Sequence, residues 1–159
     1  MAEIFVNMGQ IEVAKGDGVL ITVGLGSCIG VAIYDRERMV GGMAHVFLAT
    51  SKDGKGTTQP GKFADTAIPA LVEAVVQAGG RRSAFQAKIA GGANLFPKLG
   101  EASLNVGKQN VAAVKEHLLI NNIPLRGEDV EGHRGRKMIL YVNKGVVVVQ
   151  SIGESPREI

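Results

Sequence analysis

The sequence has one cysteine, no tryptophan, five prolines and only 4% aromatic residues in 159 positions. A lone thiol excludes an internal disulfide framework. With only three scattered histidines beside it, the paired ligand spacing of a structural zinc site is missing as well. No apolar run reaches the roughly 18 residues of a membrane span, and the opening "MAEIFVNMGQ" carries Glu3 where a secretory leader is basic. A reducing cytoplasm is the expected location. Excess charge of one sign is lacking too: 18 Lys and Arg against 15 Asp and Glu leave a net +3, spread along the chain. That balance argues against nucleic acid and mildly favours an acidic protein partner. What abounds is glycine, 22 residues without a collagen-like period, among many Val and Ile, the composition of short strands and tight turns. The length suits one domain with its own apolar core, and residues 1–159 are read as that domain.

Three β-branched or apolar runs, 19–23, 29–35 and 40–48, are each closed by glycine or charged turn residues and predict consecutive strands. The stretch "ATSKDGKGTTQPGK" that follows has little to anchor it, and residues 49–62 are expected to form a mobile surface loop. Asp65 is placed to cap a helix running to about residue 78. Ile68, Leu71, Val72, Val75 and Val76 lie at helical spacing in it, and a glycine pair stops it. A strand over 85–90 runs into "GGANLF", and a second helix is expected over 107–121. Strands over 125–130, 137–142 and 146–152 follow, the last two joined by the hairpin signal "NKG", and the tail 153–159 reads as loose. Strands in local succession broken by two helices point to an α+β or layered α/β domain with largely antiparallel or mixed sheets.

The chemistry turns on Cys28 in "TVGLGSC". A thiolate is the nucleophile, so the thiol needs a base. His117 falls among the polar positions of the second helix, and His133 sits in the charged turn "EGHRGRK"; both are most simply solvated. His45 interrupts the apolar strand "GGMAHVFL" and must find a specific partner or face water. If Arg36 and Glu37 form a two-residue hairpin loop, Cys28 and His45 are cross-strand partners on one face. A three-residue loop at Gly24, Leu25 and Gly26 would likewise set Thr22 opposite Cys28. Together the two registers put the cysteine in the middle, whereas a relay needs the histidine there. Either one register does not form or the strands belong to different sheets. The plainer alternative stays open, that Cys28 is a small apolar filler of a core strand. "GLGSC" is not a phosphate loop, since no Lys follows it into a helix.

The blocks "LITVGLGSCIGVAIYD", "GGMAHVFL", "GKFADTAIPALVEA", "AKIAGGANLF", "NVGKQN" and "GEDVEGHRGRK", in this order and spacing, closely resemble the CheD family of chemoreceptor glutamine deamidases. The resemblance implies a cysteine hydrolase whose fold is similar to the catalytic domain of the cytotoxic necrotizing factor toxins, two packed sheets flanked by helices. It places the family's nucleophile on Cys28, its histidine on His45 and its threonine on Thr22. Backbone amides at Ser27 and Cys28 are the candidates for the oxyanion donors. No cofactor or metal is implied. The implied substrates are glutamines on the cytoplasmic domains of chemoreceptors, with glutamyl methyl esters as a second leaving-group class. The implied partner is a CheC-like phosphatase, and a rival role is docking to that phosphatase without catalysis. The chain departs from the family's usual pattern at "ATSKDG" after "HVFL" and at Glu131 and His133, where Gly and Asn are usual.

Overall fold

The computed structural model describes residues 2–51, 58–96 and 105–159. The described chain forms strands β1 (Glu3–Phe5), β2 (Ile11–Lys15), β3 (Val19–Leu25), β4 (Ile29–Asp35) and β5 (Val40–Val46) before its first long helix, α1 (Ala64–Gln77). After it come β6 (Gln86–Gly91), α2 (Val106–Ile120), β7 (Leu125–Val130), β8 (Arg136–Tyr141), β9 (Val146–Ser151) and β10 (Arg157–Glu158). The strands make two five-stranded sheets, ordered β1-β3-β8-β9-β10 and β2-β5-β4-β6-β7. Pairs β1–β3 and β6–β7 are parallel and the rest antiparallel, so both sheets are mixed, as the α+β expectation required.

Alternation along β4 and β5 builds two separate cores. Ile29, Val31 and Ile33 with Val40, Ala44 and Val46 turn outward and pack under α1 and α2, whose buried stripes are Ile68, Leu71, Val72 and Val75 and Val111, Val114 and Leu118. The opposite side chains, Cys28, Ala32, Tyr34 and Met43, meet Leu20, Met138, Leu140, Val147 and Val149 of the first sheet. Both helices lie on the second sheet, making three layers, and every residue of β4 and β5 is buried. Burial on both faces is why these two strands read as nearly unbroken apolar runs. Among the described residues no helix is long and apolar enough to cross a membrane.

Several local expectations change. The β4–β5 connection is four residues, Arg36–Met39, because the buried Asp35 carboxylate accepts from the Arg38 N–H at 3.1 Å and Met39 takes φ 50°. The pairing therefore moves by two, setting Gly30 opposite His45 and leaving Cys28 diagonal to it. The hairpin between Thr22 and Cys28 does not form: β3 pairs with β8 and lies in the other sheet from β4. Asp65 does not cap α1. Phe63 holds that position with no side-chain bond, while the Asp65 carboxylate accepts from the Ser51 N–H and hydroxyl.

The expected mobile loop lies outside the described residues over 52–57. Its ends are held, Phe47 and Leu48 donating to the Lys62 carbonyl and Ala64 to that of Leu48. The tail is not loose, since β10 pairs with β9 and the Ile159 N–H donates to Val147 O at 3.0 Å. Strands β1 and β2, unread in the sequence, pair with β3 and β5. Glu131 holds φ 67°, a left-handed conformation that glycine adopts without steric cost.

Candidate active site

His45 sits near the end of β5 on the face turned towards the first sheet, 3% exposed. Its backbone is fixed on both sides, its N–H donating to Gln10 O at 3.2 Å and its carbonyl accepting from the Gly9 N–H at 2.8 Å. Across the layer, Thr22 of β3 is 1% exposed, and its hydroxyl lies 2.8 Å from His45 Nδ1. The same hydroxyl donates to the Val6 carbonyl at 2.6 Å. One hydroxyl has one hydrogen. Since that hydrogen goes to Val6, Thr22 Oγ1 must accept from Nδ1–H, which fixes the imidazole tautomer and leaves Nε2 with its lone pair. Among the described residues Nε2 has no hydrogen-bond partner, and it is buried. Burial holds the His45 pKa below its ordinary value, and the Val6 carbonyl opposes that shift.

The two sheets can meet here because Gly30, the register partner of His45, has no side chain. A Cβ on it would stand 2.7 Å from Met138 Sδ, 3.1 Å from Leu25 Cδ1 and 3.2 Å from Thr22 Cγ2. The absent side chain leaves the space that the Thr22 methyl fills.

Cys28, 5% exposed, immediately precedes β4 and belongs to the core between the sheets. It lies one residue before the β4–β5 ladder, whose Ile29–Val46 and Gly30–His45 pairs make His45 its diagonal neighbour, and among the described residues no hydrogen bond joins its thiol to Nε2. Burial pushes the Cys28 pKa up. Desolvation thus acts on both groups in the sense that favours the neutral thiol and the neutral imidazole.

The turn before Cys28 is held through its carbonyls. Gly26 O accepts from the Ala93 N–H at 2.8 Å and Cys28 O from the Gly92 N–H at 2.9 Å. Ser27 O accepts from Asn110 Nδ2 at 2.9 Å. The close approach needs glycine at 91, where φ is 114° and a Cβ would be 2.1 Å from Cys28 O. Of the other histidines, His133 is exposed with its Nδ1 3.0 Å from Asn94 O, and His117 is half-buried on α2. Among the described residues no group of three or more His, Cys, Asp and Glu side chains could hold a metal.

The family model described as CheD chemotactic sensory transduction matches residues 47–151, about two thirds of the chain. A protein of Clostridium botulinum named "Probable chemoreceptor glutamine deamidase CheD" is 42% identical over 158 residues, 99% of this chain and 98% of its own. A protein of Desulforamulus reducens with the same name is 42% identical over 153 residues, 96% of this chain and 92% of its own. This chain belongs to the CheD family. The family model's span begins two residues after His45, whereas the full-length relatives extend over the segment that holds Thr22, Cys28 and His45.

Three contributors escaped the sequence reading. Val6 supplies only a backbone carbonyl, which no side-chain pattern marks. Gly30 could have been found by parity, as the one residue of β4 without a side chain on the face shared with His45. Asn110 had a signal of its own, since it stands in the buried stripe of α2 where every spacing calls for an apolar residue.

Proposed function

We propose that this CheD-family chain hydrolyses glutamine side chains on the cytoplasmic domains of chemoreceptors to glutamate and ammonia, with Cys28, His45 and Thr22 as the catalytic set. The observation that carries the reading is the Thr22 hydroxyl placed between the Val6 carbonyl and His45 Nδ1. It leaves a buried imidazole with an unprotonated Nε2, unpaired among the described residues, on the face shared with Cys28. The names of the relatives supply the substrate class.

As Sγ attacks the carboxamide carbon, the thiol proton passes to Nε2, and the carbonyl electrons move to oxygen. Desolvation disfavours both charged forms, which is consistent with transfer during attack. Collapse of the tetrahedral intermediate breaks the C–N bond, and the proton on Nε2 leaves with ammonia. Water, deprotonated by the same Nε2, then hydrolyses the thioester and restores the thiol. The backbone N–H groups of Ser27 and Cys28 are the donors to the oxyanion. A glutamyl methyl ester would reach the same thioester with methanol as leaving group.

The test is mass spectrometry of receptor cytoplasmic fragments after incubation, reading the conversion of Gln to Glu, with ammonia and methanol release followed in parallel. Conversion by the native chain and none by Cys28→Ala is expected. Fragments left intact by the native chain would sink the proposal; binding of a CheC-type phosphatase in that case would favour a docking role.

A further inference from the structure

Asn110 is fully buried in α2, and both hydrogens of its carboxamide are used. Nδ2 donates to Ser27 O at 2.9 Å and to Phe47 O at 3.0 Å. Ser27 immediately precedes Cys28, and Phe47 lies two residues beyond His45, so one side chain ties the segment entering the nucleophile to the segment leaving the base. The amide cannot be turned over, because Oδ1 would then face two carbonyl oxygens. Among the described residues Oδ1 itself is buried without a partner.

The bond to Ser27 also decides where a neighbouring N–H points. The peptide bonds among the described residues are trans, and in a planar trans peptide the C=O and the following N–H point in opposite directions. Gripping Ser27 O towards α2 therefore turns the Cys28 N–H away from it, and the Ala93 bond to Gly26 O turns the Ser27 N–H in the same manner. Among the described residues neither of these N–H groups donates to a carbonyl. They are the two N–H groups proposed above as donors to the oxyanion.

We infer that Asn110 is a positioning residue for the reaction, aiming the Cys28 N–H at the oxyanion by holding the Ser27 carbonyl. The inference rests on the deamidase reading above. In full-length Asn110→Ala, kcat for ammonia release from receptor fragments is expected to fall roughly ten- to a hundredfold with KM within about twofold, because an oxyanion donor acts on the transition state. Alkylation of Cys28 by iodoacetamide creates no oxyanion at an acyl carbon. Its rate and pH dependence should stay within about threefold of the native values, since thiolate formation depends on the base and not on the donor.

An unchanged kcat overturns the inference. So does a parallel fall in both rates, which would assign Asn110 to holding the thiol. A native chain that releases no ammonia removes the deamidase reading and the positioning role with it, a result distinct from an active native chain beside a fully active Asn110→Ala. If alanine leaves the protein unfolded at the assay temperature, Asn110→Ser takes its place. There a lower kcat with native alkylation supports the inference, and native kcat overturns it.

Discussion

The two faces of β4 and β5 are made from the same strands and differ in what they tolerate. The face under the helices is mostly aliphatic, Ile29, Val31, Ile33, Val40, Ala44 and Val46, with Gly42 among them and the buried Asp35 carboxylate at its end, held by the Arg38 and Arg81 N–H groups. The face towards the other sheet carries Cys28, Gly30, Ala32, Tyr34, Met43 and His45, a mixture of small, polarizable and polar groups. Under the helices the spacing is set mostly by side chains, with Gly42 giving room to Leu71 and Val75 of α1. A second sheet can come closer where a residue has no side chain, and at Gly30 it comes close enough for a hydroxyl of one sheet to reach an imidazole of the other. The polar face is thus the costlier one, and it is kept because its groups find each other.

Substitutions on the two faces should separate activity from stability. The largest effect belongs to Cys28→Ala, with deamidation lost by roughly a thousandfold or more and a melting temperature close to native, measured by ammonia release and calorimetry. Next comes Thr22→Val, which removes the donor to Val6 and the acceptor for Nδ1–H at once. It should cost about 1–3 kcal/mol in denaturant melts and lower kcat at least about tenfold, while Thr22→Ser keeps the hydroxyl and most of the rate.

Gly30→Ala tests the comparison most directly. Its Cβ meets Met138, Leu25 and Thr22, so a loss of about 1–3 kcal/mol should come with a fall in kcat as Thr22 is displaced. On the opposite face, Ile33→Val should cost about 0.5–1.5 kcal/mol and leave kcat unchanged. Equal effects of these two variants on kcat would show that the two faces do not differ in their bearing on catalysis.

The smallest effect is in pH. The folded pKa of His45 lies below its unfolded value of about 6.5, so the unfolded chain binds the extra proton first. Its contribution to stability is present above about pH 6.5 and is lost as pH falls through the folded value. Activity should therefore persist below pH 6.5 before its acid limb. Denaturant melts of His45→Gln across the same range should lose that part of the acid destabilisation. The Cys28 shift has the opposite sense: neutral thiol stabilises below its unfolded pKa, and that stability is lost as pH rises through the raised folded value.

Much of the frame was readable from local pattern. The strands at Ile29–Asp35 and Leu125–Val130 have the expected bounds, α2 starts within one residue of expectation, and α1 starts two residues before the position that an Asp65 cap implied. That Cys28 and His45 share a face also survived, because a shift of two residues preserves parity where a shift of one would not. The shift came from Asp35, whose carboxylate lengthens the turn by bonding Arg38, an effect that counting a minimal loop misses. β1 and β10 escaped because three- and two-residue strands carry too little periodicity to register.

What the sequence determined by itself is therefore local: which segments are strands and helices, which residues alternate to which side, and that one thiol and one imidazole fall on the same side. Period and turn chemistry act over a few neighbours and are written in the order of residues. Only the tertiary structure decided that Thr22 belongs to the other sheet, that Val6 takes its hydroxyl hydrogen, and that Asn110 reaches the turn before Cys28. Those placements depend on how two sheets and a helix close upon one another, a balance of buried area and satisfied polar groups summed over the whole chain.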